Sequence, residues 1–215
     1  MQQRPNIVFY FSDQQRWDTL GCYGQRLDVT PNLDALAAGG TRYENAFTCQ
    51  PVCGPARACL QTGRYATEIG CEINGFALPF GRVKTLAQCF NEAGYATGYV
   101  GKWHLATDRL AGIDYEQSAI PAERRGGYKD YWMAADVLEF TSHGYNGYVY
   151  NADNERVPFV GYRADCINNF AIDFLHGRKE QVEPFFLFIS QIEPHHQNDR
   201  RRYEGPDGSR AQFAD

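Results

Sequence analysis

The sequence predicts an α/β fold in which a doubly wound, mostly parallel sheet carries helices on both faces. Three continuous runs, at 7–11, 96–101 and 185–189, are typical of strands that are buried on both sides. Segments with the apolar spacing of helices lie between these runs, and such alternation is typical of parallel sheets. A chain of 215 residues is long enough for one well-buried domain.

The first half of the chain supplies one of these strands and two helix candidates. After the 7–11 run, Thr30-Pro31 begins a helix that Gly39-Gly40 ends. A second helix is expected in the segment that starts at Cys53. Pro55 suits its first position, where the missing N–H of proline costs nothing.

The second half repeats the alternation of helix and strand. Thr85 is placed to cap a helix that Gly94 ends, and the 96–101 run follows directly. A later helix, with one apolar stripe between 164 and 177, precedes the 185–189 run. Each of these units joins a helix to the next buried strand, as parallel sheets require.

The segment at about 109–158 differs in composition from the rest, because it is rich in glycine and tyrosine. We expect it to form an excursion from the core that lies over the functional site. No internal repeats or low-complexity tracts divide the chain. The prediction is therefore one domain over residues 1–215 that carries this excursion.

Composition and charge exclude several classes of function. The net charge of −5 argues against a general nucleic-acid binder, which needs a basic surface. No run approaches the ~20 apolar residues that span a bilayer, so no membrane partner is expected. The first residues lead directly into the 7–11 strand without a secretory signal, which favours a cytoplasmic location. The seven scattered cysteines favour reduced thiols over a disulfide framework.

The most informative motif is the run from Cys53 to Arg64, Cys-Gly-Pro-Ala-Arg-Ala-Cys-Leu-Gln-Thr-Gly-Arg. At a helix N-terminus, Cys53 would face free N–H groups and the positive end of the helix dipole, which favour an anion. Arg57 lies roughly one helical turn further on, so both side chains can face the same small ligand. The pattern predicts an anion site that contains a nucleophile. The alternative is a buried thiol that only packs beside the helix.

Three further polar clusters follow the predicted strands: Asp13-Gln14, Lys102 with His104, and His195-His196. The carboxyl ends of parallel strands meet at one edge of the sheet, where ligands of such folds bind. Carboxylate and amide oxygens suit Ca²⁺, Mg²⁺ or Mn²⁺. Lys102 and His104 share a face if their segment is extended. We therefore expect these clusters and the cysteine motif to converge on one site.

The run from Cys53 to Arg64 is similar to the signature of the sulfatases, Cys-x-Pro-x-Arg followed by leucine and Thr-Gly-Arg. The segments at 4–24, 101–105 and 194–195 also resemble that family. The resemblance implies an alkaline phosphatase-like α/β core and hydrolysis of a small-molecule sulfate ester. It also implies that a maturation enzyme converts Cys53 into formylglycine, whose hydrated aldehyde attacks sulfur.

The resemblance further implies a divalent metal, held by Asp13, Gln14 and the converted Cys53. Ca²⁺ is the first expectation, with Mn²⁺ or Mg²⁺ as alternatives. Many relatives carry a second aspartate at the position of Gln14. Both the identity of the metal and the class of substrate therefore stay open.

The same resemblance assigns roles to the remaining site residues. It implies that Arg57 and Lys102 stabilise the negative charge that develops on the ester. His104 would take a proton from the hydrated aldehyde when the sulfated intermediate collapses. His195, which matches a Pro-His of the family, would contact the transferred group or protonate the leaving oxygen.

Other functions stay open at this point. Gln14 resembles the phosphonate monoester hydrolase branch, which predicts a phosphonate monoester or phosphodiester hydrolase on the same scaffold. Family members are much longer, and a later acidic pair completes their metal site. There are therefore three alternatives: an inactive anion- and metal-binding fragment, a homo-oligomer, or a chain with a missing C-terminal portion. The cysteine motif speaks against a cofactor-independent mutase of the same superfamily, because such enzymes use serine or threonine.

Overall fold

A computed structural model describes residues 4–213, and one six-stranded sheet organises them. In chain order the strands are β1 (Ile7–Phe11), β2 (Ala96–Lys102), β3 (Tyr131–Ala135), β4 (Tyr145–Tyr150), β5 (Arg156–Tyr162) and β6 (Phe185–Ser190). Their order across the sheet is β1, β6, β2, β3, β4 and β5.

The first four strands of this order are parallel, which confirms the predicted type of sheet. β6 lies between β1 and β2 and pairs with both, so that Phe188 is opposite Phe9 on one side and Tyr99 on the other. β3 pairs with β2 in parallel, and β4 and β5 then form an antiparallel hairpin. The three predicted strand runs are the adjacent strands β1, β6 and β2.

Six α-helices accompany the sheet in the described part of the chain, and none of them is long and apolar enough to cross a membrane. They are α1 (Pro31–Gly39), α2 (Cys53–Thr62), α3 (Ala66–Ile69), α4 (Leu86–Glu92), α5 (Leu138–Thr141) and α6 (Arg163–Gly177).

Local sequence explains where two of these helices begin. Thr85 caps α4: its hydroxyl accepts the N–H of Gln88 at 3.3 Å, and the Gln88 side chain accepts the N–H of Thr85 at 2.9 Å. α2 begins at Cys53, earlier than expected, which places Pro55 at the third helical position rather than the first. Proline is tolerated there because the first four N–H groups of a helix have no partner within it.

The core lies on both faces of the sheet, because neighbouring residues of a strand point to opposite sides. Tyr99 of β2 stacks on Phe188 of β6 in one buried cluster, which also contains residues of α2 and α4. Val100 and Leu187, adjacent to them in sequence, belong to a second cluster, which contains residues of α6. Every residue of β2 and β6 is buried, which is why charged residues are absent from the interior of both runs.

The structure contradicts the expected excursion at 109–158. β3 and β4 lie inside the sheet, and Trp132 is 2% exposed and stacks on Tyr99 with 5.3 Å between ring centroids. Aromatic residues have a high propensity for strands. The unusual composition therefore marks additional strands of the same domain.

Candidate active site

Four segments meet at the carboxyl edge of the parallel strands, as the sequence predicts. Asp13 follows β1, Lys102 ends β2, His195 follows β6, and Cys53 begins α2. Asp13 is the point of contact, because its carboxylate touches Cys53, Arg57 and Lys102. The parallel order of β1, β6 and β2 brings these residues together from distant parts of the chain.

Cys53 is the first residue of α2, and its thiol faces the first strand. The thiol donates to Oδ1 of Asp13 at 3.7 Å. Gly54 permits this close packing, because a Cβ there would lie 3.1 Å from Oδ1 of Asn74 and 3.5 Å from the carbonyl oxygen of His104. Burial raises the pKa of the Cys53 thiol above its usual value, despite the nearby positive charge of Lys102. The unmodified side chain is therefore a thiol and not a thiolate.

Arg57 is buried one turn further along α2, and its guanidinium is held from several sides. Nη2 donates to Oδ2 of Asp13 at 2.9 Å, while Nη1 donates to the carbonyl oxygen of Lys102 at 2.8 Å and to Oγ of Ser190 at 2.6 Å. Within residues 4–213 the buried Nε of Arg57 has no hydrogen-bond partner.

Asp13 and Lys102 form a buried ion pair beside Arg57. Nζ of Lys102 lies 3.2 Å from Oδ2 of Asp13, and the Lys102 side chain has no exposed surface. Burial is the largest single effect on the pKa of Asp13 and would raise it. The charges of Lys102 and Arg57 together outweigh it and hold that pKa well below its usual range. Asp13 is therefore ionised and can bind a cation through Oδ1.

His104 follows β2 in a left-handed backbone conformation, with φ of 58°. Its N–H donates to the carbonyl oxygen of Asp136 at 2.8 Å. The Asp136 carboxylate in turn accepts the next three N–H groups, from Leu105, Ala106 and Thr107. Burial, and then the charge of Lys102, lowers the pKa of His104 to about 3. The imidazole is therefore neutral near pH 7.

His195 reaches the site from the segment after β6. Its Nδ1 lies 2.6 Å from the carbonyl oxygen of His196, and its Nε2 lies 4.0 Å from Sγ of Cys53. A carbonyl oxygen only accepts, so the neutral ring carries its proton on Nδ1 and turns the lone pair of Nε2 towards Cys53. The N–H of His196 donates to Oε1 of Gln14 at 2.9 Å, which ties the loops after β1 and β6 together.

The donor set fits part of a divalent-cation site. Asp13, Cys53 and His195 each place one ligand atom within 4.8 Å of the others. Oδ2 of Asp13 is taken by Arg57 and Lys102, whereas Oδ1 faces Cys53. The amide oxygen of Gln14, which is predicted to be a further ligand, accepts the N–H of His196. Since Ca²⁺ takes six to eight oxygen ligands, these residues supply only a portion of its coordination sphere.

Several residues of the site carry no signal in the sequence motifs. Glu139 binds Nζ of Lys102 at 2.9 Å, Ser190 binds Arg57, and Asn74 accepts the N–H of Gly54 at 2.8 Å. Glu139 belongs to the segment that was expected to leave the core, so its proximity to Lys102 depends on β3 being recognised as a strand. Ser190, at the end of the strongest strand run, has a position that a search of strand ends would find.

A cleft of about 1200 Å³ opens beside Cys53. Its wall includes Asp13 and Gln14, and its outer part is apolar, with Phe47, Val52 and Tyr65. None of its lining residues in the described part of the chain comes from 109–158. The expectation that this segment lies over the site stays a prediction. The 109–158 segment contributes Glu139, which lies beneath the site and binds Lys102.

The family model described as Sulfatase matches residues 5–214. The chain belongs to the sulfatase family. Sulfatase YidJ of Escherichia coli K12, described as uncharacterized, is 38% identical over 204 residues, which cover 90% of this chain and 39% of that protein. Human arylsulfatase A is 42% identical over 223 residues, with 89% of this chain and 41% of that protein covered.

Solved structures confirm the α/β fold of this sulfatase chain. The crystal structure of sulfatase yidJ from Bacteroides fragilis has a TM-score of 0.82 and 29% identity, covering 100% of this chain and 48% of that one. A structure in complex with D-glucosamine-2-N,6-O-disulfate has a TM-score of 0.73 and 29% identity, covering 89% and 35%. The phosphonate monoester hydrolase of Agrobacterium radiobacter has a TM-score of 0.60 and 25% identity, covering 89% and 41%. The chain spans less than half the length of each of these proteins.

Proposed function

We propose that this sulfatase chain carries the nucleophile and anion-binding part of a sulfuric ester hydrolase that acts on small-molecule sulfate monoesters. The observation that carries the proposal is the buried cluster of Asp13, Arg57 and Lys102 at the head of α2, next to Cys53. Two fixed cations and a helix N-terminus favour an anionic group at this point. Family membership supports the same reaction.

Cys53 is proposed to act after conversion to formylglycine by a maturation enzyme. Its buried thiol has a raised pKa, which makes a thiolate nucleophile unfavourable at neutral pH. The modified side chain would supply, when hydrated, a hydroxyl that attacks sulfur and a second hydroxyl for release of sulfate. Arg57 and Lys102 would stabilise the charge that develops on the ester oxygens.

The two histidines suit the proton transfers of such a reaction. His104 is neutral because its pKa is lowered to about 3, and its assignment as the group that accepts a proton from the hydrated side chain at position 53 rests on the family resemblance. His195 points Nε2 towards the same position at 4.0 Å from Sγ, where it can contact the transferred group. The His195 assignment has a contact of this chain behind it, whereas the His104 assignment rests on the family resemblance alone.

A divalent cation is proposed to bind through Asp13, with Gln14 and the modified residue 53 beside it. When bound, it would supply positive charge next to the transferred group. Ca²⁺ remains the first candidate because the donors are hard oxygen atoms, with Mn²⁺ and Mg²⁺ as alternatives.

A hydrolysis assay tests the proposal. The purified protein is supplied with a divalent cation and offered an aryl sulfate and D-glucosamine-2-N,6-O-disulfate, and sulfate release is measured. We expect turnover that Cys53→Ala abolishes, while Cys89→Ala, at an exposed cysteine of α4, retains it. Turnover that survives in Cys53→Ala would contradict the proposal.

The second candidate is hydrolysis of phosphonate monoesters or phosphodiesters. Gln14 favours it, as does the likeness to the phosphonate monoester hydrolase of Agrobacterium radiobacter. Matched aryl esters of sulfate, phenylphosphonate and phosphate diester in the same assay separate the two candidates. Tight binding of a divalent cation without turnover of any ester would instead indicate an anion- and metal-binding fragment.

A further inference from the structure

Glu139 is a buried carboxylate that touches the proposed anion site from below. It lies in α5, shortly after β3 ends, and its side chain is 5% exposed. Oε1 lies 2.9 Å from Nζ of Lys102. Glu139 therefore reaches the site through a lysine to which the proposed reaction assigns a role, and not through direct contact with Cys53.

Lys102 is shared between two carboxylates. Its Nζ lies 2.9 Å from Glu139 and 3.2 Å from Oδ2 of Asp13, and its side chain has no exposed surface. A buried ammonium is strongly disfavoured without anionic partners, so its position depends on where those partners stand. The ammonium is thus fixed between α5 and the end of β1.

Glu139 uses only one of its two carboxylate oxygens, Oε1, to bind Lys102. Its second oxygen, Oε2, is buried and has no hydrogen-bond partner within residues 4–213. The backbone beneath is held rigidly, because Nε2 of Gln197 donates to the Glu139 carbonyl oxygen at 3.1 Å. A carboxylate that only stabilised the scaffold would be expected to use both oxygens on neighbouring groups. Glu139 instead binds the Lys102 ammonium through one oxygen, and its backbone is held by Gln197.

Removal of Glu139 would leave Asp13 as the near anionic partner of Lys102. Oδ2 of Asp13 already accepts Nη2 of Arg57 at 2.9 Å. An ammonium drawn closer to Asp13 than the present 3.2 Å would shift within the anion site and would compete more strongly with a cation for that carboxylate. We propose that Glu139 is a positioning residue that holds the Lys102 ammonium between its own carboxylate and that of Asp13, in place for the sulfuryl group. The inference rests on the proposed function.

Two variants separate the effect of the Glu139 charge from the effect of its side-chain length. Glu139→Gln keeps the shape and removes the charge, whereas Glu139→Asp keeps the charge and shortens the side chain. A displacement of about 1 Å in a catalytic group costs about a hundredfold in rate. We therefore expect both variants to lower kcat on the preferred ester by about that factor and to change KM much less.

A spectroscopic readout follows the lysine itself. The chain contains four lysines. The buried, hydrogen-bonded ammonium of Lys102 should give a ¹⁵N resonance that is protected from solvent exchange, and Lys102→Arg assigns it. We expect Glu139→Gln to shift or broaden this resonance at constant pH. Glu183→Gln serves as the matched control. Glu183 pairs with Arg178 at 3.1 Å and precedes β6, so it lies at the amino end of that strand, away from the site.

The outcomes are distinct. An unchanged kcat in either folded variant, or an unchanged Lys102 resonance in Glu139→Gln, would overturn the inference, as would an equal effect of Glu183→Gln. If Glu139→Gln does not fold, Glu139→Asp decides by the same two measurements. If the wild-type protein hydrolyses no ester, the proposed function fails, and the resonance alone still decides whether Glu139 positions Lys102.

Discussion

The four buried ionic side chains at the site balance in charge, with Asp13 and Glu139 against Arg57 and Lys102. Each contact is short, from 2.9 to 3.2 Å, and each member is at most 9% exposed in its side chain. Buried charges are tolerated only when they are paired in this way. At the scale of the residue, removing one member therefore leaves an uncompensated charge as well as an altered site.

Arg57→Ala tests this balance. The variant loses the guanidinium that binds Asp13, Ser190 and the Lys102 carbonyl oxygen. We expect turnover to fall at least about a hundredfold, and the free energy of unfolding to fall by about 3 kcal/mol. Kinetics and urea denaturation measure the two effects. Arg82→Ala, at an exposed arginine, is the control, and near-normal turnover in Arg57→Ala would remove this residue from the mechanism.

The predictability of the site differs between its residues for a physical reason. Cys53, Arg57 and Asp13 stand at helix starts and strand ends that local sequence patterns indicate. Glu139 and Asn74 become neighbours of the site only through tertiary packing, and no local pattern marks them. Glu139 also follows β3, a strand whose aromatic composition resembled that of an inserted segment.

Helix α4 and the start of β4 show how individual elements are held in the fold. Thr85 combines a capping box with a hydrogen bond from its hydroxyl to the carbonyl oxygen of Gly126. Gly144, just before β4, donates its N–H to Glu204 at 2.8 Å. Each of these groups ties an element to a distant segment, so its loss should lower stability without touching the site.

Thr85→Ala should lower the free energy of unfolding by about 1–2 kcal/mol. The substitution removes the cap of α4 and leaves a buried carbonyl oxygen without its partner. Thr85→Ser retains the hydroxyl and should recover most of the loss. Urea denaturation of the three proteins measures the effect, and equal destabilisation by alanine and serine would show that the methyl group matters instead.

Glu204 should give stability that depends on pH. Although burial acts in the opposite direction, hydrogen bonds from Arg200, Gly144 and Arg202 lower the pKa of Glu204 to about 2. A carboxylate with a depressed pKa stabilises the fold above its unfolded pKa, and this contribution is lost as pH falls towards the folded value.

We expect Glu204→Gln to be less stable than the wild type at pH 7 by about 1–2 kcal/mol. The difference should shrink as pH falls from about 4.5 to about 2. Thermal denaturation across this range measures it. Glu92→Gln, at a more exposed ion pair, should show little difference at any pH. A constant difference for Glu204→Gln would rule out the ionised carboxylate as its source.

At the scale of the whole molecule, the parallel strands assemble the site from segments far apart in sequence. The alternation of helix and strand was sufficient to predict the sheet and its parallel character, because each buried run carries its own signal. The antiparallel hairpin of β4 and β5 was not predicted, since glycine and proline interrupt its pattern. Within residues 4–213, β1 and β5 are the edges of the sheet. The site lies near the β1 edge, and the chain spans about two fifths of its curated relatives.

The proposed divalent-cation site depends on this assembly, because its donors follow two strands and begin a helix. We expect Ca²⁺ to raise the thermal midpoint, since a ligand at a hundred times its Kd stabilises a fold by about 2.7 kcal/mol. Asp13→Asn should remove this increase, whereas Asp28→Asn, at an exposed aspartate, should retain it. The metal-dependent shift is compared within each variant, so that any change in basal stability cancels. An undiminished shift in Asp13→Asn would place the cation elsewhere.

The chemical state of residue 53 is the most direct test of the proposed mechanism. Trypsin releases residues 43–57 as one peptide, whose mass distinguishes a cysteine from a formylglycine. In natively matured, active protein we predict the lower mass of the aldehyde, together with a hydrazide adduct that confirms it. A fully active preparation in which this peptide carries an unmodified thiol would contradict the proposed mechanism.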